Sequence, residues 1–345
     1  MQTSFLGDVV LTTALLRELA ASGPVDVVVR AEAAGVLAGN PGVRRVIVYD
    51  KRGRDGGIGG LWRVGRRLRA GGPYGAAYLA QGSPRSAMLA VVAGCRERVG
   101  FDTSRNARAF YTRVVRYRAD RHHAERLWAL ASPDGAPTAE QVRPALYPGA
   151  DERAAVDAVL APLTGRRFVA LAPGSVWATK RWPFYAELAG ALAGDVAIVL
   201  VGGPGDAGLA GEIVAACPPG TAVDAAGRLS LLASAALIGR AALLVTNDSA
   251  PQHLASAVGT PTLAIFGPTV PAFGFGPLAP GSVTVGVDDL ACRPCDRHGP
   301  RVCPLGHWRC MREQAPGAVA ARARAMLADL SLPDSRSTCL TPPDR

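Results

Sequence analysis

The sequence predicts an α/β protein made of two halves, each a parallel sheet covered by helices, with a cleft between them. Short apolar runs typical of strands alternate with helical stretches along most of the chain, which is the pattern of parallel sheets. The charge is also divided, because residues 1–150 carry 22 Lys and Arg against 12 Asp and Glu, whereas residues 151–345 carry 16 of each. A boundary near residue 150 therefore separates a basic half from a neutral half.

The predicted elements follow the same order in both halves. In the first half the strands are Val25–Val29, Val43–Tyr49 and Ala76–Ala80, and the helices are Leu11–Ala20, Leu61–Arg69 and Ser86–Ala93. In the second half the strands are Phe168–Ala172, Val196–Val201, Leu243–Val245 and Thr262–Phe266, and the helices are Phe184–Ala193, Ala207–Ala216, Leu229–Ile238 and Gln252–Val258. The tail, residues 331–345, is rich in Pro, Ser, Thr and Asp, and we expect it to be disordered.

The first ten residues resemble the end of a strand, a Gly turn and a helix start, but the strand itself is nearly absent. Only Met1 precedes Gln2–Phe5, the residues that should follow a buried strand. A strand in such a sheet typically has ~5 residues. We therefore expect the authentic protein to start upstream of Met1.

The segment Leu243–Thr269 has the order strand, polar turn, helix, strand. Asp248 and Ser249 follow the first strand, and Pro251 suits a first helical turn. Ligands of such sheets bind beyond the carboxyl ends of the strands, and a helix N-terminus favours phosphate. His253, one turn into the helix, is expected to face the same crevice.

Lys180 is the second candidate, because lysine is rare in this chain. Of 38 Lys and Arg residues, only Lys51 and Lys180 are lysines. Lys180 follows the predicted strand Phe168–Ala172 in the loop Ala172–Pro183, and Arg cannot always replace a compact ammonium group. The alternative is that Lys180 survives by chance on a solvated loop.

Composition limits the partners and the compartment. No apolar run is long enough to span a membrane and no signal peptide opens the chain, so we expect a cytoplasmic protein. The basic first half indicates an acidic partner, either a phosphorylated substrate or an anionic membrane surface. Arg63, Arg66, Arg67 and Arg69 surround one predicted helix beside Trp62, and no nucleic-acid motif appears, so nucleic acid is not expected.

Three segments in order resemble the motifs of bacterial heptosyltransferases, glycosyltransferase family 9. They are QTSFLGDVVLTTALL (Gln2–Leu16), PGSVWATKRWP (Pro173–Pro183) and NDSAPQHLASAVGTPTLAIFGPT (Asn247–Thr269). The cysteine-bearing segment Cys292–Cys310 resembles a feature of the second heptosyltransferase branch. The chain departs from the family where Ala250 stands in place of a frequent Gly.

The resemblance implies two Rossmann-like domains of the glycosyltransferase B type that face a cleft. Residues 1–150 would bind the acceptor and residues 151–330 the nucleotide sugar. The reaction implied is transfer of heptose from ADP-L-glycero-D-manno-heptose to the inner core of lipopolysaccharide, with inversion, on a phosphorylated lipid-linked acceptor. The enzyme would work at the inner face of the cytoplasmic membrane and need no cofactor for transfer.

The resemblance also gives roles to single residues. Asp8 would be the general base, although an Asp can instead cap a helix that starts at Val9. Lys180 would meet the diphosphate, with Asp248, Ser249 and the Pro251 helix completing the donor site, and Thr269 is a further donor-loop candidate. His253 would bind a phosphate or the heptose, or else it is an ordinary histidine on a helix face.

The four cysteines Cys292, Cys295, Cys303 and Cys310 have the spacing C-x2-C-x7-C-x6-C. Four thiolates can hold a structural zinc, and the alternative is a set of reduced thiols on an irregular loop. Two other functions stay open at this point. One is a family 9 enzyme with another nucleotide sugar or acceptor, and the other is a zinc-stabilised basic binding protein.

Overall fold

The computed structural model describes residues 1–330, so the predicted tail at 331–345 lies outside the described residues. The strands, in chain order, are β1 Asp26–Val29, β2 Arg45–Val48, β3 Ala76–Tyr78, β4 Glu97–Phe101, β5 Arg113–Val115, β6 Phe168–Ala172, β7 Ala197–Leu200, β8 Ala222–Asp224, β9 Leu243–Asn247, β10 Thr262–Ile265 and β11 Val283–Val285.

The α-helices, in chain order, are α1 Leu6–Ala20, α2 Ala31–Ala34, α3 Gly57–Ala70, α4 Pro84–Val92, α5 His123–Trp128, α6 Ala139–Val142, α7 Ala150–Leu160, α8 Tyr185–Leu192, α9 Ala207–Ala215, α10 Leu231–Arg240, α11 Ala250–Val258, α12 Arg309–Arg312 and α13 Pro316–Asp329. None of these helices is long and apolar enough to cross a membrane within residues 1–330.

The second half contains one continuous sheet of six parallel strands, in the order β11-β10-β9-β6-β7-β8. The chain runs outward from β6 to β8, then returns to β9 on the other side of β6. The paired strands β6 and β9 are therefore the point where the strand order reverses. Crevices at such a point bind ligands in α/β proteins.

Both faces of this sheet are covered, which explains why its strands are nearly all apolar. Ala170 and Ala172 of β6 pack towards α7, α10 and α11. Val169 and Leu171 point the other way, towards α8, α9 and α13. Alternate residues of one strand thus serve two helical layers, and the carboxyl edge of the sheet stays open.

The first half has its strands in two separate sheets, β1-β2 and β3-β4-β5, both parallel. Met1–Thr3 lies between them: the Met1 ammonium donates to the Tyr78 carbonyl (2.7 Å), and Gln2 N–H donates to the Val28 carbonyl (2.9 Å). Beyond Met1 a cavity of about 360 Å³ separates β1 from β3, which we name the β1–β3 gap. The expected upstream start stays a prediction.

Most predicted elements are confirmed to within a few residues, with two corrections at the site. Helix α1 begins at Leu6 with Phe5 at its N-cap, so Asp8 lies inside the first turn and does not cap a helix at Val9. Strand β9 continues to Asn247, beyond the predicted end at Val245. The sequence pattern does not predict β4, β5, β8 and β11, because these strands are short and partly exposed.

Candidate functional site

A cavity of about 270 Å³ lies between the two halves, and we name it the Lys180 cavity. Its walls come from the start of α1, the loop after β6, the start of α11 and the loop after β10. All six candidates from the sequence line it, namely Asp8, Lys180, Asp248, Ser249, His253 and Thr269. The structure thus brings together residues from three distant segments, whose roles stay predictions.

Lys180 is not on a solvated loop but is 8% exposed and paired with Asp248. Its Nζ lies 2.6 Å from Asp248 Oδ2. The same carboxylate accepts hydrogen bonds from Thr269 Oγ1 at 2.6 Å and from Gln252 Nε2 at 2.8 Å. Three donors therefore hold Asp248, which in turn fixes the direction of the Lys180 ammonium.

Asn247, at the end of β9, holds the loop that carries Lys180. Its amide Nδ2 donates to the Pro173 carbonyl (2.8 Å), and its Oδ1 accepts from Trp182 N–H (3.1 Å) and Tyr185 Oη (3.2 Å). Asn247 is fully buried, and a buried amide must find such partners. Sequence reasoning placed Asn247 only in the polar turn and gave it no role of its own.

The cysteine-bearing segment covers Lys180 from outside. Gly299 has a φ of +81°, and a Cβ at this position would lie 3.3 Å from Lys180 Cε. The Thr179 hydroxyl donates a hydrogen bond to the carbonyl of Pro300, the residue after Gly299. A glycine is needed here both for the left-handed backbone and for the close approach to the Lys180 stem.

The N-terminus of α11 points into the Lys180 cavity and supplies groups for an anion. Ser249 is the N-cap residue, but its side chain makes no capping hydrogen bond, and Pro251 lies in the first turn. The first N–H groups of a helix have no partner within the helix, and the helix dipole is positive at this end. A phosphate group bound here would meet these N–H groups beside Lys180.

His253 faces the start of α1 at very short range. A Cβ at Gly7 would lie 2.6 Å from His253 Cδ2, so only glycine allows α1 and α11 to approach this closely. Burial lowers the pKa of His253 to about 4, and the ring is therefore neutral at pH 7. Within the described residues its buried Nδ1 has no hydrogen-bond partner. The His253 side chain also lines the Lys180 cavity.

Asp8 lies at the junction of two cavities. It lines the Lys180 cavity and also a second cavity of about 550 Å³, which we name the Gln81 cavity. The Gln81 cavity lies mainly against the first half and contains Gln81, Asn106 and Arg105. A carboxylate between two adjoining cavities can act on a group that reaches it from either side.

Two neighbours hold the Asp8 carboxylate. Ser4 Oγ donates to Asp8 Oδ2, and His123 Nε2 lies 3.6 Å from Asp8 Oδ1. Burial lowers the pKa of His123 to about 3, with the charge of Arg126 acting in the same direction. Because His123 is neutral at pH 7, it does not form an ion pair with Asp8.

Sequence reasoning missed several residues of this site. His122 and His123 lie on the first half and contact the second half. The Phe275 ring lies 4.8 Å from the His123 ring, tilted by 34°, and His122 hydrogen-bonds the Gly276 carbonyl at 3.0 Å. Arg297 and His298 line both cavities. Their only signal in the sequence was their place inside the cysteine-bearing segment.

The cysteines gather but do not form a ligand shell. Cys292 Sγ lies 3.8 Å from His307 Nε2, and burial together with the neighbouring thiols raises the pKa of Cys310 to about 11. Within residues 1–330 no three His, Cys, Asp or Glu side chains are arranged to hold a metal ion. Structural zinc at Cys292, Cys295, Cys303 and Cys310 therefore stays a prediction.

Comparison with known proteins gives one family. The model of glycosyltransferase family 9 (heptosyltransferase) matches residues 61–307. The chain is 31% identical over 312 residues to lipopolysaccharide heptosyltransferase 1 of Pseudomonas aeruginosa, covering 86% of this chain and 84% of that protein. It is 30% identical over 287 residues to lipopolysaccharide heptosyltransferase 2 of Escherichia coli, covering 78% and 82%.

Solved structures agree. A family 9 glycosyltransferase from Veillonella parvula superposes with a TM-score of 0.82 at 23% identity, over 95% of this chain and 96% of the other. The Escherichia coli ADP-heptose lipopolysaccharide heptosyltransferase II superposes with a TM-score of 0.77 at 26% identity, over 94% and 97%. The expected fold of two Rossmann-like units facing a cleft is confirmed.

Proposed function

Because the chain belongs to glycosyltransferase family 9, we propose that it transfers heptose from ADP-L-glycero-D-manno-heptose to the inner core of lipopolysaccharide. The enzyme class, a glycosyltransferase, follows from the family. The donor sugar, the acceptor and the inverting course of the reaction are the proposal. Relatives named as heptosyltransferases 1 and 2 both align over most of the chain, and they support heptose as the sugar.

The position of Asp8 between the Lys180 cavity and the Gln81 cavity carries this proposal. A transferase needs a base at the place where the donor and the acceptor meet. The Lys180 cavity has the cation and helix N-terminus that suit a diphosphate. The Gln81 cavity is bounded mainly by the basic first half and suits a phosphorylated acceptor.

The reaction would be one displacement. Asp8 takes the proton of the acceptor hydroxyl while that oxygen forms a bond to the anomeric carbon of the heptose. The bond from this carbon to the phosphate oxygen breaks on the opposite face, so the configuration inverts. The electron pair leaves with ADP, and the proton stays on Asp8 until solvent removes it.

Lys180 and the start of α11 would stabilise the charge that develops on the leaving diphosphate. Asp248 orients the ammonium before the donor arrives, so this stabilisation does not require rearrangement during the reaction. Neutral His253 would donate a hydrogen bond to the donor without adding charge. We propose that no metal is needed for the transfer, because the Lys180 ammonium and the dipole of α11 would stabilise the negative charge of the diphosphate instead.

Structural zinc is a separate prediction for the cysteine-bearing segment. This segment covers Lys180 through Gly299, so an ion there would stiffen the donor loop without entering the chemistry. Elemental analysis of purified protein tests it, and Cys292→Ser with Cys295→Ser should abolish the zinc content if the prediction is right.

The acceptor we propose is the phosphorylated, lipid-linked oligosaccharide of the inner core. Its lipid would remain in the inner face of the cytoplasmic membrane, with the enzyme at that surface. The excess of 22 basic over 12 acidic residues in 1–150 supports an anionic acceptor.

Calorimetry with ADP and UDP, followed by transfer assays, tests the function. We expect ADP to bind and UDP to bind much more weakly, and ADP to be released when ADP-heptose is mixed with a defined core acceptor. An acceptor without any heptose would test transfer of the first heptose, and an acceptor that already carries the first heptose would test transfer of the second. Preference for UDP, or no heptose transfer to any core acceptor, would contradict the proposal in favour of another nucleotide sugar or acceptor.

A further inference from the structure

Helix α3 presents two large apolar side chains to solvent. Ile58 is 73% exposed and Trp62 is 54% exposed. They are four residues apart, so they are neighbours on the same side of the helix. The opposite side already packs in the core through the buried Leu61, Val64 and Leu68. Ile58 and Trp62 therefore do nothing for the folded core, and they form an apolar patch on the surface.

Arginines surround this patch. Arg63, Arg66, Arg67 and Arg69 are all exposed on α3, and Arg52 and Arg54 are exposed in the loop before it. The carboxylate just before α3, Asp55, has a side chain only 2% exposed, and it is already approached by Arg54 (3.6 Å) and Arg63 (3.5 Å). The solvent-facing charge of α3 is thus positive. Helices with aromatic and aliphatic residues among arginines bind in the plane of an anionic bilayer surface.

The position of α3 relates this surface to the site. Arg85, at the start of α4, donates to the Gly57 carbonyl at 2.6 Å, and so joins the first residue of α3 to α4. The loop just before α4 contains Gln81 and Gly82, which line the Gln81 cavity. Lys51, in the loop that leads to α3, donates to the Thr3 carbonyl at 3.0 Å. The N-terminus of α3 is therefore on the cavity side of the first half.

We propose that the exposed face of α3 docks on an anionic lipid bilayer. Ile58 and Trp62 enter the interface, and the arginines contact the phosphate headgroups. A docked α3 places the opening of the Gln81 cavity next to the lipid surface, where the sugar of a lipid-linked acceptor can enter it. The docking itself does not depend on the proposed function, and only the identity of the entering sugar rests on it.

A bilayer fits this face better than nucleic acid does. A duplex is bound mainly through its phosphates, which the arginines alone could contact, whereas a bilayer interface accepts the arginines together with the apolar Ile58 and Trp62. Arginines near an anionic surface and apolar groups buried in the interface both strengthen binding to a bilayer. Both groups of residues should therefore contribute measurably, and neither alone should account for all the binding.

Flotation with vesicles tests the docking without any substrate. The wild-type chain should float with vesicles of phosphatidylcholine and phosphatidylglycerol, much less with phosphatidylcholine alone, and less in 0.5 M salt. We expect Ile58→Ser with Trp62→Ser, and separately Arg66→Glu with Arg69→Glu, to lower partitioning by about 10-fold or more. Matched controls are Val302→Ser with Leu305→Ser, and Arg153→Glu with Arg322→Glu, which change exposed residues elsewhere and should float like the wild type.

Activity on two acceptors adds a second readout. The α3 variants should keep wild-type kcat/KM on a water-soluble deacylated acceptor and lose activity on an acceptor embedded in vesicles. Wild-type flotation of both α3 variants would overturn the docking, as would tighter binding of duplex DNA than of anionic vesicles. If vesicle docking holds while no heptose transfer is found, the proposed function fails and the docking stands.

Discussion

The two halves of this molecule hold their site residues in different ways. In the second half one unbroken sheet carries the candidate donor residues at the ends of β6, β9 and β10, and buried hydrogen bonds join them to each other. In the first half the strands form two sheets around the β1–β3 gap, and the candidate base lies on the first turn of α1. The candidate donor site is thus supported by its own sheet, and Asp8 is not.

The two sheets of the first half do not hold Asp8, and contacts with the second half supply part of the missing support. The start of α1 packs through Gly7 against His253, His122 bonds Gly276, and Arg297 Nη2 reaches Tyr117 Oη at 2.8 Å. These contacts all lie near the two cavities. The position of the candidate base therefore depends on how the two halves meet, whereas the candidate donor site is built within one half.

Changing Asp8 to Asn should give the largest effect. Loss of a general base costs about 10²–10⁴ in turnover, while the fold and the affinity for ADP should stay because Asp8 is not among the residues that hold the donor loop. Steady-state kinetics measure the turnover, and calorimetry measures the affinity for ADP. Near-normal turnover at saturating substrates would show that Asp8 is not the base.

Changing Lys180 to Ala should weaken the donor site by the next largest amount. A charge-assisted contact contributes roughly 1.5–3 kcal/mol, which corresponds to about 10- to 150-fold in ADP affinity. Lys180→Arg should not rescue it fully, because Gly299 packs closely over the Lys180 stem and a planar guanidinium does not replace a compact ammonium. The other lysine is the matched control, so Lys51→Ala should bind ADP normally.

The loss of Lys180 also leaves Asp248 buried without its cation, and circular dichroism must show that the variant folds. The double change Lys180→Met with Asp248→Asn removes both charges and should be more stable than Lys180→Ala. Unchanged ADP affinity in a folded Lys180→Ala protein would disprove the donor role.

Acid should destabilise the junction of the halves. Burial lowers the pKa of His122 and His253 to about 4 and of His123 to about 3, against an ordinary 6.5. The unfolded chain therefore binds more protons than the folded one between these values. The stabilisation is complete above pH 6.5 and is lost as the pH falls, by up to about 2 kcal/mol per histidine from pH 7 to 5.

Urea unfolding at pH 7, 6 and 5 measures this loss. The variant His253→Gln should lose about a third of the pH dependence. A free energy of unfolding that does not change between pH 7 and pH 5 would contradict burial of the three neutral rings.

Filling the β1–β3 gap should have the smallest effect, and it would make the two halves more alike. The Met1 ammonium is buried against the Tyr78 carbonyl, and burial lowers its pKa to about 6. Five apolar, β-forming residues joined in front of Met1 would replace the ammonium by a peptide N–H and extend the pairing with β1 and β3. Burial gains exceed the ordering cost by on the order of 1 kcal/mol.

Calorimetry should then show a melting temperature raised by about 1–2 °C. A Gly-Ser segment of the same length is the control and should give no rise. Equal melting temperatures for the two extended proteins would mean that the gap does not accept a strand. The apolar extension should also raise turnover if a firmer α1 helps to hold Asp8.

Much of the site could be predicted from the sequence because its residues follow strands. Lys180, Asp248 and Thr269 each come soon after an apolar run, and the ends of neighbouring parallel strands meet at one edge of a sheet. The roles of Asn247 and Gly299 could not be predicted. Asn247 acts through the Pro173 carbonyl, and Gly299 through the Lys180 stem, and both partners are far away in the chain.

Local periodicity and turn residues are enough to predict the α/β class, the order of most strands and helices, and which loops carry the candidate groups. The tertiary structure is needed to show that Asp8 lies between two cavities, that His123 and His253 are neutral, and that the strands of the first half form two sheets. Burial and cavity shape arise from contacts between the two halves, and no local pattern of residues records them.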